Sequence, residues 1–175
     1  TKVLDRSPYR IDAPCGYFGA CTGCQWQHVS YEHQVRLKHE TVRSAFADQP
    51  ELVDVAVSEP LPARTIFGYR NHARFHIRQQ GHLGFSNRIT RHFVKIDECM
   101  IMAPWINDAI SQLQGRVGES TAISLRCGVN TGDWLIQPRL VETDISLATG
   151  QTHFRETVLG KPFRISSPSF FQVNS

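Results

Sequence analysis

The sequence is defined first by what it lacks. No charged-then-apolar segment opens it, and no apolar run is long enough to span a bilayer. Cysteine is sparse: five in 175 residues, an odd count, which does not suit an extracellular fold stapled by disulfides. Together these absences point to a reducing, cytoplasmic setting without a membrane partner. Acid is missing from one long stretch. Pro60 to Ile96 holds seven cations (Arg64, Arg70, Arg74, Arg78, Arg88, Arg91 and Lys95) and no Asp or Glu. The other 12 of the 19 cations share the rest of the chain with all 16 acids, so that remainder is net acidic although the total is +3. A basic block on an acidic chain implies a polyanionic partner. With 41% hydrophobic residues, a chain of this length can bury one core and a small satellite.

The few cysteines are not scattered. Cys15, Cys21 and Cys24 form a C-x5-C-x2-C array with Gly16, Gly19 and Gly23 between the sulfurs. Glycine lets a backbone turn back so that thiolates can converge on one centre. Three sulfurs leave a four-coordinate site one ligand short, and Cys99, in Ile-Asp-Glu-Cys-Met-Ile, supplies a fourth. Pro14 and the glycines make the array a loop, which does not fit a thioredoxin-like strand-to-helix motif. The spacing is compatible with zinc and with an iron–sulfur cluster alike. Asp97 and Glu98 would raise the pKa of the neighbouring thiol, so Cys99 reads as a metal ligand and not as a nucleophile.

Thr1 to Pro14 reads as an extended arm. Ser30 to Ala47 reads as a helix, with Ser30 as N-cap and Tyr31, Val35, Val42 and Phe46 at helical spacing. Tyr69 to Arg78 is the clearest strand. Alternation sets Arg70, His72, Arg74, His76 and Arg78 on one face, and Tyr69, Ala73, Phe75 and Ile77, with Asn71, on the other. Like charges crowded on one face are unfavourable unless a counter-charge binds, so this face reads as an RNA-backbone surface, extended by Arg88 and Arg91. No aromatic residue lies among its cations, so base stacking is not expected of it. His82 to Phe85 and His92 to Ile96 read as the next strands.

Pro104 opens a second helix with Trp105, Ile106, Ala109, Ile110 and Leu113 on one face, stopped by Gly115. Thr121 to Val129, with Ile123, Leu125, Cys127 and Val129 inward, turns through Asn130–Asp133 into Trp134 to Leu140 as a hairpin. Cys127 on that apolar side reads as a buried structural thiol. Pro162 to Ile165 reads as a strand leading into Ser167–Asn174. The fold class is α+β: a mainly antiparallel sheet of hairpins with two helices and a four-cysteine lobe.

The cysteine array followed by Gln-Trp-Gln-His28, the later Cys99, Tyr69-Arg-Asn-His-Ala-Arg74 and Phe170-Phe-Gln-Val-Asn174 together resemble the RNA uracil-C5 methyltransferase family. The likeness is greatest to its iron–sulfur members that methylate 23S ribosomal RNA. It runs over nearly the whole chain, with Thr22 where the family more usually has glycine. The resemblance implies a [4Fe-4S] cluster on Cys15, Cys21, Cys24 and Cys99, S-adenosylmethionine contacted by Gln172, and Phe170 near a flipped uracil. It further implies an RNA-binding β-barrel ahead of residue 1. On this reading 1–14 is an arm, 15–165 the iron–sulfur and central RNA-binding domain, and 166–175 the entry to a methyltransferase domain. The family's chemistry needs a glycine-rich cofactor turn, a Ser-Cys-Asn-Pro nucleophile segment and a general-base glutamate. None follows Asn174, so the chain reads as a part of such an enzyme that is inactive alone. Two other classes fit the same residues. One is a non-catalytic RNA-binding module with a structural zinc; the other is an electron-transfer protein whose basic face meets an acidic partner.

Overall fold

A central strand with alternate faces organises the larger part of the molecule, for which a computed structural model describes residues 3–78, 80–141 and 144–174. The chain divides into two units, Thr1–Phe18 with Cys24–Arg64, and Gly19–Gly23 with Thr65–Ser175. In the second, β1 (His72–Arg78), β2 (His82–Ser86), β3 (Phe93–Lys95), β4 (Ala122–Cys127) and β5 (Trp134–Gln137) form an antiparallel sheet in the order β3-β2-β1-β4-β5. Ala73, Phe75 and Ile77 of β1, Leu83 of β2, and Ile123, Leu125 and Cys127 of β4 share one buried face. The helix α2 (Pro104–Leu113) covers it with Ile106, Ala109, Ile110 and Leu113. Pro104 stands in the first turn, where its missing N–H costs nothing. Gln114 ends the helix and ties it to the sheet: its Oε1 accepts from the Leu83 amide at 2.6 Å and its Nε2 donates to Ile96 O at 2.9 Å.

The strands β6 (His153–Val158) and β7 (Lys161–Ser166) make a separate two-stranded sheet. Its Phe154 and Ile165 pack with Leu135 and Phe171. Leu135 lies opposite Arg126 in the ladder, so this small cluster is on the side of the sheet away from the main core.

The first unit carries α1 (Tyr31–Ala47), none of whose residues is buried. Polar and aromatic contacts help to hold it. The Tyr9 ring stacks on His33 at 3.9 Å with the Arg36 guanidinium 4.8 Å from it. Gln34 Nε2 donates to Val29 O at 2.8 Å, and the Ala63 amide donates to the Tyr31 hydroxyl at 2.7 Å. Among the described residues no helix is long and apolar enough to cross a membrane.

The α+β class and the antiparallel sheet with two helices are as the sequence implies; several details differ. Ser30 occupies the N-cap of α1 but makes no side-chain capping bond. β1 begins at His72, and Arg70 forms only an isolated bridge to Met102. Val129, expected inward, is 53% exposed because the chain turns at Gly128, whose amide donates to Asp133 O at 2.8 Å. β6 went unread because its inward set includes a carboxylate. Glu156 is fully buried and accepts from the amides of Val129 at 2.7 Å, Asn130 at 3.1 Å and Thr157 at 2.7 Å.

Leu125→Ala, at a fully buried site, should cost about 2–5 kcal/mol in urea unfolding. Val42→Ala on α1, where Val42 is 45% exposed, should stay within about 0.5 kcal/mol.

Candidate nucleic-acid interface

The polar face of β1 is set by its alternation. Arg74, His76 and Arg78 are exposed, whereas Arg70 and His72 are half-buried. The positions beside them are small or polar: Ser124 lies opposite Arg74, and Gly84 opposite His76. A side chain at Gly84 would collide with the Val94 carbonyl and the Phe93 ring, so β2 and β3 can pair closely here only through glycine. His76 Nδ1 and the Ser86 hydroxyl share a hydrogen bond of 2.7 Å. Arg70 Nε donates to His72 O at 3.0 Å and Arg78 donates to Ile77 O at 3.1 Å. Among the described residues, Arg70, Arg74, Arg78, Arg88 and Arg91 form no ion pair with a carboxylate. Lys95 does, with Asp97 at 3.0 Å.

β2 runs back along β1 from the Arg78–His82 pair, so the loop after Ser86 leaves the sheet toward the His72 end. Asn87 shapes that loop: its Oδ1 accepts from the amides of Ile89 and Thr90, each at 2.9 Å, and its Nδ2 donates to Ala20 O at 2.8 Å. The Arg88 amide donates to the Thr22 hydroxyl at 2.8 Å. Arg91 has φ of 63°, a left-handed conformation uncommon outside glycine. Arg88 and Arg91 are exposed on this fastened loop.

The same end of the sheet receives the C-terminal segment. The Asn71 amide donates to Val173 O at 2.8 Å, and its Nδ2 donates to Gln172 O at 3.2 Å. Gln172 is exposed and Phe170 is 82% exposed. The structure thus gathers Arg70, His72, Arg74, the Arg88–Arg91 loop and the Phe170–Gln172 segment at one end, with His76 and Arg78 farther along the strand.

Histidine 72 is not one of the charges. Burial pushes its pKa from 6.5 down to about 4, and the positive fields of Arg126, Arg70 and Arg74 push the same way. At neutral pH it is an uncharged ring whose Nε2 shares a 3.1 Å hydrogen bond with the Ser124 hydroxyl. The sequence reading missed Arg126, directly across the ladder from His72 and 8% exposed. Its Nη1 donates to the carbonyls of Ser169 at 2.8 Å, Ser167 at 3.1 Å and Ser166 at 3.5 Å. The available signal was one arginine at an outward position of a strand otherwise apolar or small.

Cys15, Cys21, Cys24 and Cys99 are half-buried. The Cys15 amide donates to Gln27 Oε1 at 3.2 Å; the Cys99 amide donates to Asn107 Oδ1 at 2.9 Å, and Asn107 Nδ2 donates back to Cys99 O. Among the described residues no group of three or more His, Cys, Asp or Glu side chains is arranged to hold a metal ion. The expected four-cysteine lobe is not shown among them. Cys127 is buried, and burial together with the Glu156 charge pushes its thiol up to about 11, consistent with an inert core residue.

No family model matches the chain. It is 34% identical over 114 residues to an uncharacterized RNA methyltransferase of Aquifex aeolicus, covering 65% of this chain and 27% of the relative. A second such protein, from Bacillus cereus, is 36% identical over 126 residues, 70% of this chain and 27% of the relative. These relatives make the chain similar to RNA methyltransferases over part of their length. The uracil-C5 enzymes are among its matches: the tRNA (uracil(54)-C(5))-methyltransferase of Pyrococcus horikoshii is 34% identical over 119 residues, 67% of this chain and 27% of that protein. The fold matches the crystal structure of Pyrococcus abyssi tRNA (uracil-54, C5)-methyltransferase in complex with S-adenosyl-L-homocysteine. The TM-score is 0.71 at 22% identity, over 99% of this chain and 50% of that one. The resemblance to RNA uracil-C5 methyltransferases is borne out, though not its narrower likeness to the iron–sulfur 23S ribosomal RNA enzymes, and the chain spans half or less of these proteins' length.

Because folding lowers the His72 pKa from 6.5 to about 4, the unfolded chain takes the proton first as pH falls. The stability contributed by neutral His72 should be intact above pH 6.5 and lost between 6.5 and about 4. Urea midpoints measured across that window should fall less steeply for His72→Gln than for the native chain. Cys127 should resist alkylation at pH 8 until denaturant is added, as mass spectrometry of the trapped adduct would show.

Proposed function

We propose that the chain is the iron–sulfur and central RNA-binding portion of an S-adenosylmethionine-dependent enzyme that methylates uridine C5 in structured RNA, 23S ribosomal RNA in particular, in the cytoplasm. The observation that carries the reading is the β1 face. Its arginines have no carboxylate to neutralise them among the described residues, and the chain's relatives are RNA methyltransferases. Arginines along a strand suit a phosphate backbone, which positions the RNA without reading its sequence. Arg70, Arg74, Arg78, Arg88 and Arg91 are the assigned cationic contacts, with His72, neutral at pH 7, and His76 as polar neighbours. Phe170, 82% exposed, is assigned to the target base, and Gln172 to S-adenosylmethionine, which supplies the methyl group.

The four cysteines are assigned to a [4Fe-4S] cluster on their donor chemistry and spacing. With every position filled by thiolate, such a centre has a structural role and takes no part in methyl transfer. The named Pyrococcus horikoshii relative, a tRNA-modifying enzyme, supports transfer RNA as the second candidate substrate.

The complete protein that carries this chain should transfer labelled methyl from S-adenosylmethionine to uridine in a 23S transcript, and the chain alone should not. Labelling confined to a tRNA transcript would move the substrate, and labelling of neither RNA would remove the enzymatic reading. Arg74→Gln and Arg78→Gln should each weaken RNA binding and reduce the salt slope by about one, whereas a slope unchanged in both would detach the face from RNA. Anaerobic preparations should contain iron and acid-labile sulfide, and Cys24→Ser should lower the melting temperature; a colourless protein that holds zinc would support the non-catalytic alternative.

A further inference from the structure

Arg126 is the only buried Lys or Arg among the described residues. It has no ion-pair partner there; its charge is met by the three carbonyls of Ser166, Ser167 and Ser169. Ser166 is the last residue of β7, so the guanidinium catches the chain where the strand ends. A planar fork can reach several carbonyls in this way, which the single ammonium of lysine cannot. Asn71 takes the other end through the carbonyls of Gln172 and Val173. Between the two holds, Phe171 is turned inward against Phe154 and Phe163, at ring separations of 6.5 and 6.0 Å. That orientation leaves Phe170 and Gln172 facing outward. The anchors are neighbours: Arg126 pairs with His72, the residue after Asn71.

We propose that Arg126, with Asn71 as second anchor, is the positioning residue of segment 166–173, fixing its backbone so that Phe170 and Gln172 are presented together at the arginine-rich end of the sheet. Arg126 acts through the backbone of that segment and touches no substrate. Its catalytic consequence, though not the clamp itself, rests on the function proposed above.

Two measurements on the chain alone test the clamp. In the native chain, the Arg126 Nη protons should exchange with water at least about tenfold more slowly than those of exposed Arg74; equal rates would overturn the proposal, whether or not any variant folds. With 4-fluorophenylalanine incorporated and the residue 170 signal assigned through Phe170→Leu, Arg126→Met should shift and narrow that signal while the Phe75 signal is unchanged. A folded Arg126→Met with an unaltered 170 signal would also overturn it. In the complete enzyme, Arg126→Lys should lower kcat/KM by up to about 100-fold with RNA affinity within about twofold of native. A parallel loss of RNA affinity would mean that Arg126 is itself part of the RNA contact. If the native enzyme transfers no methyl group while the exchange and fluorine results hold, the functional reading fails and the clamp stands.

Discussion

The register of β1 is the constraint on which the larger unit depends. Five consecutive pairs, His72–Arg126 to His76–Ala122, join it to β4, and His76–Gly84 to Arg78–His82 join it to β2. A slip of one residue would send Arg74, His76 and Arg78 into the space held by Phe75 and Ile77 and turn those apolar side chains to water. Burying unpaired guanidinium groups is far more costly than exposing an apolar side chain, so the core and the basic face are a single decision. Any surface built from this face inherits the rigidity of a central strand. The C-terminal segment is then fastened to its His72 end by short polar contacts.

Those contacts come from buried polar side chains that bond to backbone. Glu156 accepts the amides of the β4–β5 turn, and Arg126 donates to the carbonyls that follow β7. Removing either would break several backbone bonds at once and, for Glu156 and Arg126 themselves, these are the bonds that satisfy a buried charged side chain. The smaller unit is held differently. With no buried residue in α1, its apolar side chains Val35, Leu37 and Phe46 are only half-buried, and the Tyr9–His33 stack and the bonds of Gln34 and Tyr31 add to what holds it.

What could be read from the sequence follows the same division. Alternation alone identified Ala73, Phe75 and Ile77 as core and placed Cys127 among them, and Pro104 with its apolar spacing marked α2. The strand β6 was invisible because Glu156 stands where an apolar residue would have completed the pattern, and its backbone partners lie 26 or 27 residues away. Val129 continued the period of β4, yet the turn chemistry of Gly128 overrode it. Ser30 has the composition of an N-cap without its bond, since capping depends on a rotamer the sequence does not fix. Arg126 lay in plain view as an outward residue, but its value comes from carbonyls about 40 positions away. The C-x5-C-x2-C array is legible as chemistry; the geometry of its side chains is not, because spacing within a glycine-rich loop sets reach and leaves direction open.

A histidine in the middle of an arginine face now has a physical reason. Same-face neighbours on a strand lie roughly 6.6–6.8 Å apart, close enough for three consecutive cations at 70, 72 and 74 to repel one another. A carboxylate at 72 would relieve that repulsion, but it would also neutralise the arginines and spoil them for a polyanion. A half-buried imidazole whose proton is driven off by burial and by Arg126, Arg70 and Arg74 relieves it without supplying a counter-charge. Its neutral nitrogen still satisfies Ser124. The charges part in the same way: Arg74 and Arg78 are exposed, while Arg126, across the ladder from His72, directs its charge onto backbone carbonyls. On the function proposed above, two adjacent ladder positions divide the work, one keeping the face open to anions and the other holding the segment.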